Sequence, residues 1–320
     1  MSTKKELKFI LKNWDLDKSL DIMEENIEYK TDREKHIWGI GEKYILKMNR
    51  NEEQIKKNIN ISTSLLEENI PVQRVVTTKY GELYFSLDKK YYVLFNKLQG
   101  DALKDYFEGD YLKRAAYLGE CLAELHKGLF NLSKEVNLSK EIMDGNIIEE
   151  LNGWVKCEID LYLDNCDLSE CEKLEFINSI EGTIKNFSTI YNELPRQLIH
   201  RDFHGENMIF ENEKLVGYID FDLTQINARI FDLCYLCTGA LATIFNDEEK
   251  REKWIEFSKS FIKGYDIKLS LNESEKLSLK NMMLSIELIM IAFFAKEGYR
   301  DIAFSNIKMF NWINESWNYK

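Results

Sequence analysis

Residues 198–222 read LIHRDFHGENMIFENEKLVGYIDFD, and the reading of this stretch decides the fold. Two short apolar runs, 208–210 and 215–219, flank the polar turn 211–214. That pattern predicts a β-hairpin with one carboxylate-bearing loop before it and another after it. A hairpin holds its two outer ends together. Asp202, then Asn207 five residues on, then Asp220 thirteen beyond that, are therefore expected to converge on one point.

Carboxylate and amide oxygens are hard ligands that suit Mg²⁺, and a further carboxylate nearby serves as a proton acceptor. Moving a γ-phosphoryl group onto a hydroxyl needs both. His200-Arg201-Asp202 with Asn207 resembles the kinase catalytic loop, and Asp220-Phe221 followed by Asp222 stands where kinases carry a metal-binding Asp-Phe-Gly. The second histidine, His204, the Gly205-Glu206-Asn207 ending and the Ile219-Asp220-Phe221-Asp222 run resemble the aminoglycoside phosphotransferase and choline kinase group more than the protein kinases. The resemblance implies a two-lobed, protein kinase-like α+β fold. An N-terminal nucleotide-binding lobe over 1–97 would hold an antiparallel sheet and one main helix, and a mostly helical catalytic and substrate lobe would cover 98–320. It further implies ATP or GTP with Mg²⁺ bound between the lobes, Asp202 as the base, Asn207 and Asp220 as metal ligands, and Asp222 as a further ligand. The acceptor would be a hydroxyl on a small molecule: an aminoglycoside, choline, homoserine or a sugar.

At the N-terminal end, residues 4–14 place Leu7, Ile10, Leu11 and Trp14 on one face of a packing helix. Strand-like segments at 27–29, 36–40 and 43–48, with Asp32, Gly39 and Gly41 near the turns, predict an antiparallel sheet. Side chains alternate along a strand, so Ile45 and Lys47 share a face while Leu46 takes the other. A lysine on an apolar face needs an anionic partner. By resemblance, Lys47 is the lysine that holds the α and β phosphates. The loop 31–35 has no glycine to let a phosphate approach the backbone closely, which leaves Arg33, Lys35 or backbone amides for such contacts.

Asn51 is expected to cap the next helix, with Gln54 completing a capping box, and the helix should run to about residue 69, before Pro71. In the resembled kinases that helix offers a glutamate to the phosphate lysine. The corresponding position here is Asn58, which leaves the partner of Lys47 open. Further strands at 72–77, 82–87 and 91–95 complete the sheet. Residues 92–100 resemble the adenine-binding hinge, with Asn96 and Leu98 offering the main-chain carbonyl and amide.

Beyond the hinge, Tyr111, Ala115, Leu118, Leu122, Leu125 and Leu129 recur at helical spacing and predict a long amphipathic helix, with His126 packed or capping near its end. The acidic cluster between Glu158 and Glu172 reads as a solvated face. Asp232 resembles a carboxylate that braces the catalytic loop. Trp254, Phe257, Phe261 and Tyr265 form one stripe, and 282–294 is almost wholly apolar, both expected in a helical core.

Composition bounds the partners. The 320 residues include 44% hydrophobic and 31% charged side chains and only two prolines, a profile that permits a helix-rich globular fold. A net charge of −12 opposes binding to nucleic acid or to anionic membranes. The start of the chain lacks a signal-peptide core and the run 288–295 is too short to span a bilayer, so a cytoplasmic protein is expected. Cys234 and Cys237 lack further ligands nearby for zinc and read as buried thiols. The residues leave one alternative, a kinase-shaped binding protein without turnover, supported by Asn58 alone. Oligomeric state is not set by any of these features.

Overall fold

The structure is a computed structural model that describes residues 4–17, 19–24, 36–133 and 143–319. In chain order the first elements are α1 (Lys4–Ile10), β1 (Ile22–Glu24), β2 (His36–Ile40), β3 (Tyr44–Asn49), α2 (Glu52–Glu67), β4 (Phe85–Leu87), β5 (Lys90–Asn96) and β6 (Asp101–Ala102). Then come α3 (Tyr111–Leu132), α4 (Ile147–Glu150), α5 (Lys156–Leu163), α6 (Glu170–Tyr191), β7 (Arg196–Ile199), β8 (Met208–Glu211), β9 (Lys214–Tyr218) and β10 (Gln225–Ala228). The chain ends in α7 (Ile230–Ile244), α8 (Glu248–Lys268), α9 (Glu273–Lys296) and α10 (Arg300–Ser316). These elements form an α+β fold of the kinase-like kind, with an antiparallel sheet toward the N-terminus and helices toward the C-terminus. They group into two compact units. The first comprises residues 1–103, 134–142 and 206–223, and the second 104–133, 143–205 and 224–320.

In the first unit, β1, β2, β3, β5 and β4 lie side by side in that order, each pair antiparallel. Alternation along β3 sorts its side chains as expected. Leu46 and Met48 join Trp38, Leu94 and the α1 residues Leu7 and Ile10 on one face. On the opposite face α2 lays Ile55 and Ile59 against Val93 and Phe95, and Lys47 pairs in register with Val93. Asn51 caps α2 by accepting from the Glu53 and Gln54 amides. Gln54 does not complete a capping box, because the Asn51 amide donates to Asn49 Oδ1 at 2.9 Å instead.

Two strand expectations need correction. Residues 72–77 form no continuous strand, because their hydrogen bonds divide between partners: Val72 bridges Tyr218, and Val75 bridges Phe95. The strand expected over 82–87 is confined to Phe85–Leu87. The short β1 had no signal in the sequence, since its residues Ile-Met-Glu lack β-branched repetition. The expected strand at 27–29 and the loop 31–35, with Arg33 and Lys35, lie outside the described residues.

In the second unit α3 and α8 approach until backbones touch. A Cβ on Gly119 would sit 2.0 Å from the Phe261 carbonyl oxygen, and one on Gly264 would sit 2.1 Å from that of Ala116. The predicted stripe Trp254, Phe257, Phe261 and Tyr265 is fully buried. Helix α9 is long and apolar enough by composition to cross a membrane, yet two thirds of that stretch is buried within the fold, where α9 packs on α5, α6, α7 and α10. Its Glu287 is fully buried, and burial pushes the carboxyl well above the usual carboxylate range. Cys234 and Cys237 are buried on α7. Burial raises both thiols, and Cys234 donates to the Leu279 carbonyl.

The α3–α8 contact yields a test of the helical core. Gly119→Ala should destabilise the protein by about 1–3 kcal/mol, because rigid backbone rather than a flexible side chain stands in the way. Urea unfolding of the two proteins measures the difference.

Candidate active site

The hairpin forms as the apolar runs predict. Strands β8 and β9 pair antiparallel and are joined by Asn212 and Glu213, both at positive φ (50° and 62°). This two-residue turn matches strand twist. Past β9 the Ile219 amide donates to the Asn207 carbonyl at 3.0 Å, so the two ends of the hairpin are tied one residue short of Asp220.

Asp220 takes a left-handed conformation, φ 62°, which costs a side-chain-bearing residue about 1–2 kcal/mol. Its Oδ1 lies 3.7 Å from Lys47 Nζ and is buried without a hydrogen-bond partner among the described residues. The partner left open for Lys47 is thus Asp220 itself. A small cavity lined by Lys47, Asn58, Gln73, Phe95, Tyr218 and Asp220 lies here. Neither Asn58 nor the earlier glutamates serve Lys47. Glu52 bonds Tyr84 and Lys56, and the Asn58 side-chain amide donates to Asp222 Oδ1. Gln54 Nε2 and Lys57 Nζ both donate to the Asp222 carbonyl, at 2.7 and 2.8 Å.

Asn96 closes β5, with its amide donating to the Arg74 carbonyl at 2.9 Å. Leu98 lies beside Gly217, where an added Cβ would meet it at 2.8 Å.

In the second unit β7 leads into the segment carrying Asp202. The amides of His200 and Arg201 donate to the two oxygens of Asp232, at 2.8 and 2.9 Å. Asp232 is fully buried, and its Oδ2 also lies 3.1 Å from His126 Nε2, while His126 Nδ1 meets the Tyr265 hydroxyl at 2.8 Å. His126 is therefore a packed core histidine. Arg201 is held left-handed at φ 72°. Its guanidinium bonds Glu150 at 2.7 Å and stacks on the Phe231 ring 4.0 Å away.

Asp202 projects from this braced turn. The Tyr235 hydroxyl donates to its Oδ1 at 2.9 Å, and His204 Nε2 stands 3.5 Å from the same oxygen. Burial alone would raise the carboxyl. The His204 hydrogen bond, the nearby histidine charges and the Tyr235 hydroxyl outweigh it and hold Asp202 below the usual carboxylate range. Burial and the facing Asp202 carboxylate push the Tyr235 hydroxyl well up, so it stays a donor.

Lys47 and Asp220 are thus brought together, Asn207 is tied beside them through Ile219, Asp222 is engaged by α2, and Asp202 stands in the second unit. Sequence reasoning passed over Tyr235, although it lies three residues after Asp232 on α7, one turn along the same face. It read Gln54 only as the partner of its own helix cap and made no assignment for Lys57, because their contact with Asp222 spans more than 160 residues.

Residues 31–266 match the family described as APH, phosphotransferase enzyme family. The chain belongs to this family. It is a small-molecule kinase, a phosphotransferase acting on hydroxyl groups. It is 25% identical over 256 residues to a homoserine kinase from Zymomonas mobilis, covering 79% of this chain and 72% of that one. Among solved structures it resembles an amicoumacin kinase in complex with AMP-PNP and Ca²⁺, with TM-score 0.72 and 15% identity over 98% of this chain and 94% of that one. It also resembles a microcompartment-associated aminopropanol kinase, with TM-score 0.65 and 14% identity over 98% of each chain.

The environment of Asp202 sets a pH dependence. Its folded value lies below the ordinary one, so the ionised group contributes stability that is complete above about pH 4 and is lost as pH falls through the folded value. His204→Ala and Tyr235→Phe should each move the Asp202 titration up toward about 3.9. Carboxyl ¹³C NMR across the acid range reads the shift directly.

Proposed function

We propose that this kinase transfers the γ-phosphoryl group of ATP or GTP, with Mg²⁺, to a hydroxyl on a small molecule, and that Asp202 is the base. The observation that carries the reading is the Asp220 Oδ1, buried without a hydrogen-bond partner among the described residues and 3.7 Å from the Lys47 ammonium. A carboxylate kept in a strained conformation, with one oxygen outside any hydrogen bond, suits a cation that is supplied with the nucleotide. Asp220, Asn207 and Asp222 fit Mg²⁺ as an all-oxygen donor set, and these three would hold it. When bound, the ion would offset negative charge on the phosphates.

The remaining roles fall to the chain. Lys47 would meet the α and β phosphates, its partly buried side chain on the same face as Ile45 and partnered by Asp220. Asn96 and Leu98 would offer backbone groups to the base of the nucleotide. Asp202, ionised at neutral pH and aimed by Tyr235, would orient the acceptor hydroxyl and take its proton. A carboxylate of lowered pKa is a weak base. Its contribution therefore lies in orientation and in accepting a proton late, as the hydroxyl oxygen bonds to phosphorus. Homoserine is the first acceptor to test, since a relative covering most of the chain is a homoserine kinase, and amino alcohols and aminoglycosides come next. Dependence on a nucleoside triphosphate supports a cytoplasmic site of action.

With purified protein, ATP or GTP and Mg²⁺, one of these acceptors should be phosphorylated. Asp202→Asn should then lower kcat by about 10²- to 10⁴-fold while leaving the ATP dissociation constant near wild type. A drop of less than about tenfold in a chemistry-limited assay sinks the base assignment. Lys47→Met should weaken ATP while sparing adenosine, and equal weakening of both would reject its phosphate role.

A further inference from the structure

We infer that Gln54, Lys57 and Asn58 on α2 are positioning residues that hold the metal-binding loop directly, in place of a glutamate that reaches the phosphate lysine. The inference rests on the kinase reading above and extends it to residues that do not touch substrate.

Gln54, Lys57 and Asn58 fall at positions i, i+3 and i+4, so they share one face of α2. All three end on one residue. Gln54 and Lys57 donate to the Asp222 carbonyl, occupying both lone pairs of that oxygen, and Asn58 donates to the Asp222 carboxylate. Lys57 and Asn58 are buried, at 9% and 6% exposure. Burial of a lysine is tolerated only when its ammonium has acceptors, so its presence here is a commitment to this contact.

The contact acts on Asp220 through the backbone. Asp220 is in the left-handed region and would relax if the chain on either side were released. Upstream, the Ile219 amide is held by the Asn207 carbonyl. Downstream, Phe221 is buried and Asp222 is held by α2. With both neighbours anchored, the Asp220 side chain stays turned toward Lys47. An asparagine at position 58 also avoids placing a second carboxylate against Asp222, which a glutamate there would do.

The test uses the full chain with two readouts. In the first, binding of ATP is followed as Mg²⁺ is titrated. Lys57→Met and Asn58→Leu should each raise the half-saturating Mg²⁺ concentration about tenfold, the loss expected for a hydrogen bond involving a charged group, while adenosine affinity changes less than about twofold. Lys57→Arg, which keeps the charge and donor, should recover most of the effect. In the second readout, without nucleotide, the amides of residues 220–223 should exchange with deuterium faster in the variants while β8 and β9 keep wild-type protection. Should Lys57→Met fail to fold, Gln54→Met at the half-buried end of the contact carries both measurements. Wild-type Mg²⁺ requirement with wild-type exchange at 220–223 overturns the proposal, as does acceleration spread evenly over α2, which would mark a merely structural role. Absence of Mg²⁺-dependent ATP binding by the wild-type protein would instead refute the kinase reading, and the exchange experiment would still decide the role of α2.

Discussion

The Asp232 carboxylate, wholly enclosed on the first turn of α7, is the constraint on which the segment carrying Asp202 depends. A buried carboxylate is costly unless donors surround it. Here two backbone amides and an imidazole do so, and the two amides belong to His200 and Arg201. Meeting the needs of one anion therefore shapes the turn that presents Asp202. Arg201 can stay in a left-handed conformation because its amide is bound on Asp232 and its guanidinium is held by Glu150 and Phe231. The hydrogen bonds continue through His126 to Tyr265, so the turn is anchored into the α3–α8 contact, where the two helix backbones touch.

A parallel arrangement governs the other carboxylate loop. Asp220 is also left-handed, and it too is flanked by fixed points: the Asn207–Ile219 bond on one side and Asp222 on the other. In one loop the strained residue precedes the candidate side chain and in the other it carries it, and the strain persists because neighbouring hydrogen bonds restrain the backbone. Lys47 is then drawn to Asp220, a pairing that places opposite charges side by side while leaving a carboxylate oxygen outside any hydrogen bond. Such a pair is poised rather than satisfied.

Much of this was legible in the chain. The apolar runs of the hairpin, the alternation at Ile45, Leu46 and Lys47, the Asn51 cap and the stripe from Trp254 to Tyr265 are local patterns, and local patterns survive because period and capping chemistry do not depend on distant partners. The failures share a cause. Residues 72–77 have strand composition but split their hydrogen bonds between Tyr218 and Phe95, partners that lie on different sequence segments. Gln54 was expected to reach back to its own cap, and instead reaches Asp222.

By itself the sequence determined the family, the kinase-like fold class and the identity of the candidate chemical groups, because these follow from residue type and spacing along the chain. Only the tertiary structure decided who partners whom: Asp220 for Lys47, Asn58 for Asp222, Tyr235 for Asp202. Those pairings join residues 33 to 173 positions apart. A hydrogen bond depends on separation and angle in space, and nothing in the spacing of residues along a chain encodes either one across such distances.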